Sequence, residues 1–194
     1  MKKISQEGLK EILEKHSLWL LEKEGGERAN LKGIDLCDTD LRGANLEGAD
    51  LEEANLKGAD LRGVNLRGVN LRGVNLEGIK TDINTIGYSL ACPEEGSFIG
   101  YKKANGCIVK LLILENSKRS SATTVKCRCD KAKVLEIKEI ETGRKVKRVS
   151  SNYDFDFIYE VGKVVTVDDF DEDRWSECST GIHFFMNKEN ALNY

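Results

Sequence analysis

A mainly β chain in three parts is what this sequence predicts. A helix is expected within residues 1–28, a coiled β region over 29–83, and a small α+β domain over 84–194. Three observations carry that expectation. First, the 194 residues include thirteen aromatics, yet none falls between Ala29 and Gly78. Second, those fifty residues hold ten leucines and eight glycines, and the leucines recur every five residues. Five fits neither the helical period of about 3.6 nor the strand period of about 2. Third, from Tyr88 onward aromatics return and short stretches alternate apolar with polar residues.

From Ala29 the chain reads ANLKG, IDLCD, TDLRG, ANLEG, ADLEE, ANLKG, ADLRG, VNLRG, VNLRG, VNLEG. Leu31, Leu36, Leu41, Leu46, Leu51, Leu56, Leu61, Leu66, Leu71 and Leu76 hold the central position. Asn or Asp always precedes them, as in Asn30, Asp35, Asp40 and Asn45. A coil turning a corner every five residues brings all these leucines inside as a structural core. Glycine ends eight of the ten units, where a corner needs positive φ. The Asn/Asp ladder reads as the coil's outer polar lining.

The repeat A-(D/N)-L-x-x over 29–78 resembles the pentapeptide-repeat family. That resemblance implies a right-handed quadrilateral β-solenoid with four pentapeptides per coil, so residues twenty apart should stack. The charges agree in part: Lys32/Glu52/Arg72, Lys57/Glu77 and Glu47/Arg67 alternate in sign, while Arg42/Arg62 repel. Ten units make 2.5 coils, roughly 12 Å at the usual strand spacing. Both ends of so short a solenoid need covering.

Residues 5–24 read as the N-terminal cap. Ser5 is the expected N-cap, and Gly25-Gly26 end the helix. Leu9, Ile12, Leu13, His16, Trp19 and Leu20 line one face. Family members often carry a similar His-x-x-Trp-Leu helix, which makes His16 a packing residue.

Beyond Ile79 the repeat fades; Thr81-Asp82-Ile83 lies two residues out of register. Phe98–Lys103 and Cys107–Leu114 are expected as a hairpin around Ala104-Asn105-Gly106. Thr123–Asp130 should be a strand, with Val125, Cys127 and Cys129 inward and Thr124, Lys126 and Arg128 outward. Tyr153, Phe155, Phe157 and Tyr159 alternate with acidic residues as in a one-sided strand. The end reads as a strand followed by a short helix. Arg119-Ser-Ser-Ala-Thr-Thr, Cys178-Ser-Thr-Gly-Ile-His183 and that helix resemble a poorly characterised domain of bacteriophage and related bacterial proteins.

Composition excludes several classes. At 40% apolar and 32% charged the chain can bury a core. Net charge is −3, too little positive surface for direct nucleic-acid binding. No apolar run approaches about 20 residues, and no secretory leader is recognisable. The expected location is therefore the cytoplasm, of a bacterial host given the phage resemblance, with six reduced cysteines.

The best candidate ligand site is a loop offering cations and hydroxyls to phosphate or a nucleotide. It comprises Lys118, Arg119, Ser120, Ser121, Thr123 and Thr124, with Lys126, Arg128 and His183 beyond. Cys127, Cys129, Cys178 and His183 form a weak zinc candidate, since C-x-C and C-x₄-H are unusual spacings. Cys178 with His183 could serve as nucleophile and base, but no third orienting residue is identifiable. Asp168–Asp173 lacks the ligand spacing and Gly turn of a calcium loop.

No catalytic constellation or cofactor is expected. The function expected is non-enzymatic binding by a phage-encoded protein. It would inhibit a host defence component by masking a protein or sequestering a nucleotide signal. One alternative is a DNA-mimicking inhibitor of a nucleic-acid-binding enzyme, as some family members are. The solenoid's short length, charge of −3 and four outward arginines oppose it. The other alternative is an enzyme using Cys178/His183. A homodimer or higher homo-oligomer is among the expected states, because family members often dimerise end to end.

Overall fold

The computed structural model describes residues 1–194. They divide into two compact units: Met1–Ser89 with Ala122–Thr124, and Leu90–Ser121 with Val125–Tyr194. No helix is long and apolar enough to cross a membrane.

The first unit is a β-solenoid. Parallel bridges join Asn30 to Asp50, Asp35 to Asn55, Asp40 to Asp60 and Asn45 to Asn65, so one coil takes twenty residues. The leucines from Leu31 to Leu71 are fully buried, together with Ala49, Ala54, Ala59 and Val64. Leu76 departs from the expected core: it lies in the last, incomplete coil and is only half-buried.

The invariant Asn/Asp has a local cause. At all ten corners, from Asn30 to Asn75, its Oδ1 accepts a hydrogen bond from the backbone N–H two residues on. The fifth residue of every unit is left-handed, with φ between 64° and 71° at the eight glycines. Asp38 and Glu53, the two exceptions in sequence, adopt φ 54° and 58° all the same.

Charge stacking follows the twenty-residue register in two columns. Lys32 and Arg72 both reach Glu52, and Lys57 reaches Glu77 at 2.9 Å. The repelling column is relieved within its own coils. Arg42 pairs with Asp40 and Arg62 with Asp60, and those hydrogen bonds pull both carboxyls down to about 2. Such exposed pairs contribute little stability.

Helix α1 (Gln6–Leu20) begins where expected, with Ser5 Oγ accepting from the Gly8 N–H. His16 is buried, its Nδ1 accepts from the Ala29 N–H at 3.1 Å, and its ring stacks on Trp19. Burial lowers its pKa. Strand β1 (Lys2–Lys3) pairs in parallel with β2 (Ile34–Asp35). At the other end the register slips by one residue: Asp60 bridges Lys80, but Asn65 bridges Ile86. Thr123 Oγ1 donates to the Val69 carbonyl, and the Gly68 N–H donates to the Thr123 carbonyl.

The second unit is built on a seven-stranded sheet. Its strands are β3 (Phe98–Ala104), β4 (Cys107–Ile113), β5 (Arg119–Ser121), β6 (Lys126–Cys129), β7 (Lys131–Glu139), β10 (Val164–Thr166) and β11 (Ile182–Phe185). Their order is β10-β7-β4-β3-β11-β6-β5. The strands β8 (Arg148–Ser150) and β9 (Ile158–Glu160) form a separate pair. Asn105 and Gly106 supply the two positive φ angles of the β3–β4 hairpin turn. Helix α2 (Lys188–Asn193) ends the chain.

Two strand expectations are corrected. Tyr153 and Phe155 are 84% and 70% exposed in a turn, and only Ile158–Glu160 pairs as a strand. The Ser151 hydroxyl and the Asp154 carboxylate accept local backbone N–H groups and bend the chain there. Val125 is exposed rather than inward, whereas Lys126 and Arg128 are buried instead of facing solvent.

Candidate functional site

Residues proposed from sequence as one phosphate-binding site separate into four environments. Thr123 packs with the solenoid unit, as does Thr124. Lys118, Arg119 and Ser120 border a surface hollow with Phe170 and Arg174. Lys118 is paired with Glu172 there. The Arg119 guanidinium donates to the carbonyls of Gly96, Leu114 and Glu115 at 2.7–2.8 Å and lies over Phe98. Ser121 accepts from the Ala91 N–H through its hydroxyl. Lys118, Arg119 and Ser121 hold neighbouring segments, the buried Ser120 hydroxyl has no hydrogen-bond partner, and the groups do not converge as a cradle.

Arg128 is a structural anchor. Only 1% exposed, it donates to the carbonyls of Asp171, Asp173 and Thr180 at 2.8–3.0 Å, under the Phe170 ring. Gly181, at φ 146°, lets the chain approach closely, because a Cβ there would crowd Arg128 and Phe170.

Lys126 and His183 do meet, in a cavity of about 590 Å³ that β3 completes with Lys102. Tyr153, Phe157 and Tyr159 give it aromatic walls, and Asp154, Asp169 and Cys178 also line it. Lys126 Nζ donates to Cys178 Sγ at 3.2 Å and to the Tyr194 hydroxyl at 3.3 Å, with Glu177 at 3.9 Å. Burial alone would lower its pKa, but the Cys178 hydrogen bond and the Glu177 charge hold it above the usual lysine value. Lys102 has no such partners. Burial, then the neighbouring Lys126 charge, brings it down to about 8. His183 falls to about 4, first through burial and then through the charges of Lys102, Lys126 and Arg128. Its imidazole is neutral at pH 7, and its buried Nε2 has no hydrogen-bond partner. Lys102 escaped sequence reasoning. The available signal was its alternation with Phe98, Gly100 and Ala104, two of which pack in the core.

The zinc candidate dissolves in the fold. Cys127 and Cys129 point into the apolar core, while Cys178 is exposed at the cavity. The adjacent Cys92 thiol and then burial push Cys127 up, and burial pushes Cys129 up, so both stay protonated. No group of three or more His, Cys, Asp or Glu is arranged to hold a metal ion. Cys178 and His183 share the cavity wall, but a base held near 4 has little drive to take a thiol proton at neutral pH.

A family model for a "family of unknown function", DUF5758, matches residues 88–191, more than half of the chain. The chain belongs to the DUF5758 family. The cavity lies wholly within the matched residues save Tyr194. Pentapeptide repeats match over 27–58 and 39–78. No curated protein matches the chain.

Among solved structures, a pentapeptide repeat protein of the cyanobacterium Cyanothece is 50% identical. The match covers 29% of this chain and 42% of that one, with a TM-score of 0.17. A pentapeptide repeat protein of the Arabidopsis thaliana thylakoid lumen is 41% identical over 31% of this chain and 47% of its own, with a TM-score of 0.27. HetL of Nostoc, involved in heterocyst differentiation regulation, is 37% identical over 29% and 31%, with a TM-score of 0.23. The chain thus spans less than half the length of each of these relatives.

Proposed function

We propose that this chain is a non-enzymatic binding protein whose DUF5758 unit sequesters a small organic anion. The solenoid, which we take to be right-handed and closed at its N-terminal end by α1, serves as a rigid mount. The observation that carries the reading is the pairing of a half-buried cation without a counter-ion, Lys102, with a buried unpartnered nitrogen, His183 Nε2, on one cavity wall. Buried polar groups without partners are rare in folded proteins, and convergent polar groups in an apolar cavity mark a ligand site.

Sequestration fits better than turnover. The cavity's imidazole, His183, is held near 4, too weak a base to activate the Cys178 thiol. Of the two inhibitory modes expected from sequence, masking a protein and sequestering a signal, a concave cavity of ligand size favours the second. The resemblance to phage-associated proteins is the ground for placing that activity in the cytoplasm of an infected host.

The test is a thermal-shift screen of the full chain against small organic anions, followed by chromatography of the ligand after prolonged incubation. Stabilisation by at least one anion, recovered chemically unchanged, is expected. Absence of any shift, or conversion of the ligand, overturns the reading.

A further inference from the structure

The cavity's polar groups are more selective than anion binding requires. Lys102 and Lys126 bring positive charge, but Asp154 and Asp169 line the same space. Glu177 already stands 3.9 Å from Lys126. A bare inorganic anion gains from the lysines and is repelled by the two carboxylates. A long polyphosphate would meet more repulsion than the two lysines can offset. The favoured ligand therefore carries one compact anionic group and presents hydrogen-bond donors elsewhere on its surface.

His183 points the same way. At neutral pH its ring is uncharged, so it adds no charge to an anion subsite, and its buried Nε2 has no partner. Carboxylates accept but do not donate, so Asp154 and Asp169 too ask for N–H or O–H groups. Sugar hydroxyls and base amino groups are such donors, and carboxylates are used elsewhere to hold ribose hydroxyls.

The aromatic walls supply the third constraint. Tyr153 and Phe157 wall the cavity, Tyr153 84% exposed at its rim, while the core residue Tyr159 packs against Phe157 from behind. A flat ring stacks on such faces at a gain that depends little on which base it is. The volume, about 590 Å³, lies in the range of drug-sized ligand pockets and exceeds what a phosphate ion fills.

Resting on the anion-binding reading above, we infer that the ligand is a nucleoside carrying a single phosphate. Its phosphate sits at Lys102 and Lys126, its base stacks on the tyrosine and phenylalanine walls, and its hydroxyl or amino groups donate to the carboxylates and to His183 Nε2.

Isothermal titration of the full chain at pH 7 tests this with AMP, GMP, CMP and UMP, inorganic phosphate, adenosine and guanosine, and ATP and GTP as probes. At least one monophosphate should bind tenfold or more tighter than phosphate, than its own nucleoside and than its triphosphate. Lys102→Met should weaken the monophosphate tenfold or more while leaving weak nucleoside binding unchanged. Asp169→Asn should weaken nucleoside and nucleotide alike. Urea unfolding of each variant verifies that it folds. If phosphate, or another anion from the thermal-shift screen, binds as tightly as every monophosphate, the nucleotide assignment falls and the anion site stands. If a triphosphate binds more tightly than its monophosphate, the single-phosphate assignment falls. If none of these probes and no screened anion binds, both readings fall together.

Discussion

Replacing Lys102 with methionine should make the protein more stable while disabling its cavity. The ordinary lysine pKa of 10.5 falls to about 8 in the fold, chiefly through burial. At about 1.4 kcal/mol per pH unit, that drop represents a penalty of about 3 kcal/mol for holding the ammonium charged at pH 7. Methionine keeps the unbranched stem and removes the charge. The variant should therefore gain up to about 3 kcal/mol at pH 7, with relaxation of the cavity reducing the full figure. The gain has a defined pH window. Below about 8 lysine is charged in both states and the penalty is complete. Between about 8 and 10.5 folding releases its proton, and the difference between the two proteins narrows with rising pH. Urea unfolding of both proteins at pH 7 and pH 9.5 reads this directly. A variant no more stable than wild type at pH 7, or a gap as wide at pH 9.5, refutes the reasoning. Groups kept for function at a cost in stability behave in this way.

Other perturbations probe the rest of the structure. Leu56→Ala, in the fully buried column, should cost about 2–5 kcal/mol, whereas Leu76→Ala at the half-covered end should cost less than about 1 kcal/mol by thermal unfolding. His183 titrates near 6.5 when unfolded and about 4 when folded, so holding it protonated in the fold carries a penalty that is absent above pH 6.5, grows as pH falls and is complete below about 4. Discounted for partial exposure it is worth about 2 kcal/mol; His183→Gln should flatten the stability profile across that window in denaturant titrations. Arg128→Met removes the donors to three carbonyls, and a loss of about 3 kcal/mol should appear with faster proteolysis within residues 168–181.

The solenoid was legible because its information is local and repeated. Leucine every fifth residue, a preceding Asn/Asp that closes its own turn, and a left-handed fifth residue each act within five positions. The Ser5 cap and the Asn105-Gly106 turn were readable for the same reason. Alternation misled where local turn chemistry competed with it: Ser151 and Asp154 bend the chain, so Tyr153 and Phe155 never pair as a strand. The cavity was not legible, because β3, β6, β11, the turn at 151–157 and the C-terminus meet only in the folded sheet. Lys126 and Arg128 looked solvent-facing by alternation alone. Their burial depends on carbonyl and thiol partners some fifty residues away in sequence.

The twenty-residue register has a bearing on how this chain can lengthen or shorten. Five residues make one side, but every bridge from Asn30–Asp50 to Asp60–Lys80 closes against a residue twenty away. Duplicating residues 36–55 would add one full turn of about 4.8 Å and return each later residue to the same side. Duplicating a single pentapeptide between Lys57 and Glu77 would rotate everything downstream by a quarter turn, leaving Lys57 without Glu77 above it. Growth is thus quantised in whole turns, and the single-residue slip at Ile86 marks where that counting stops.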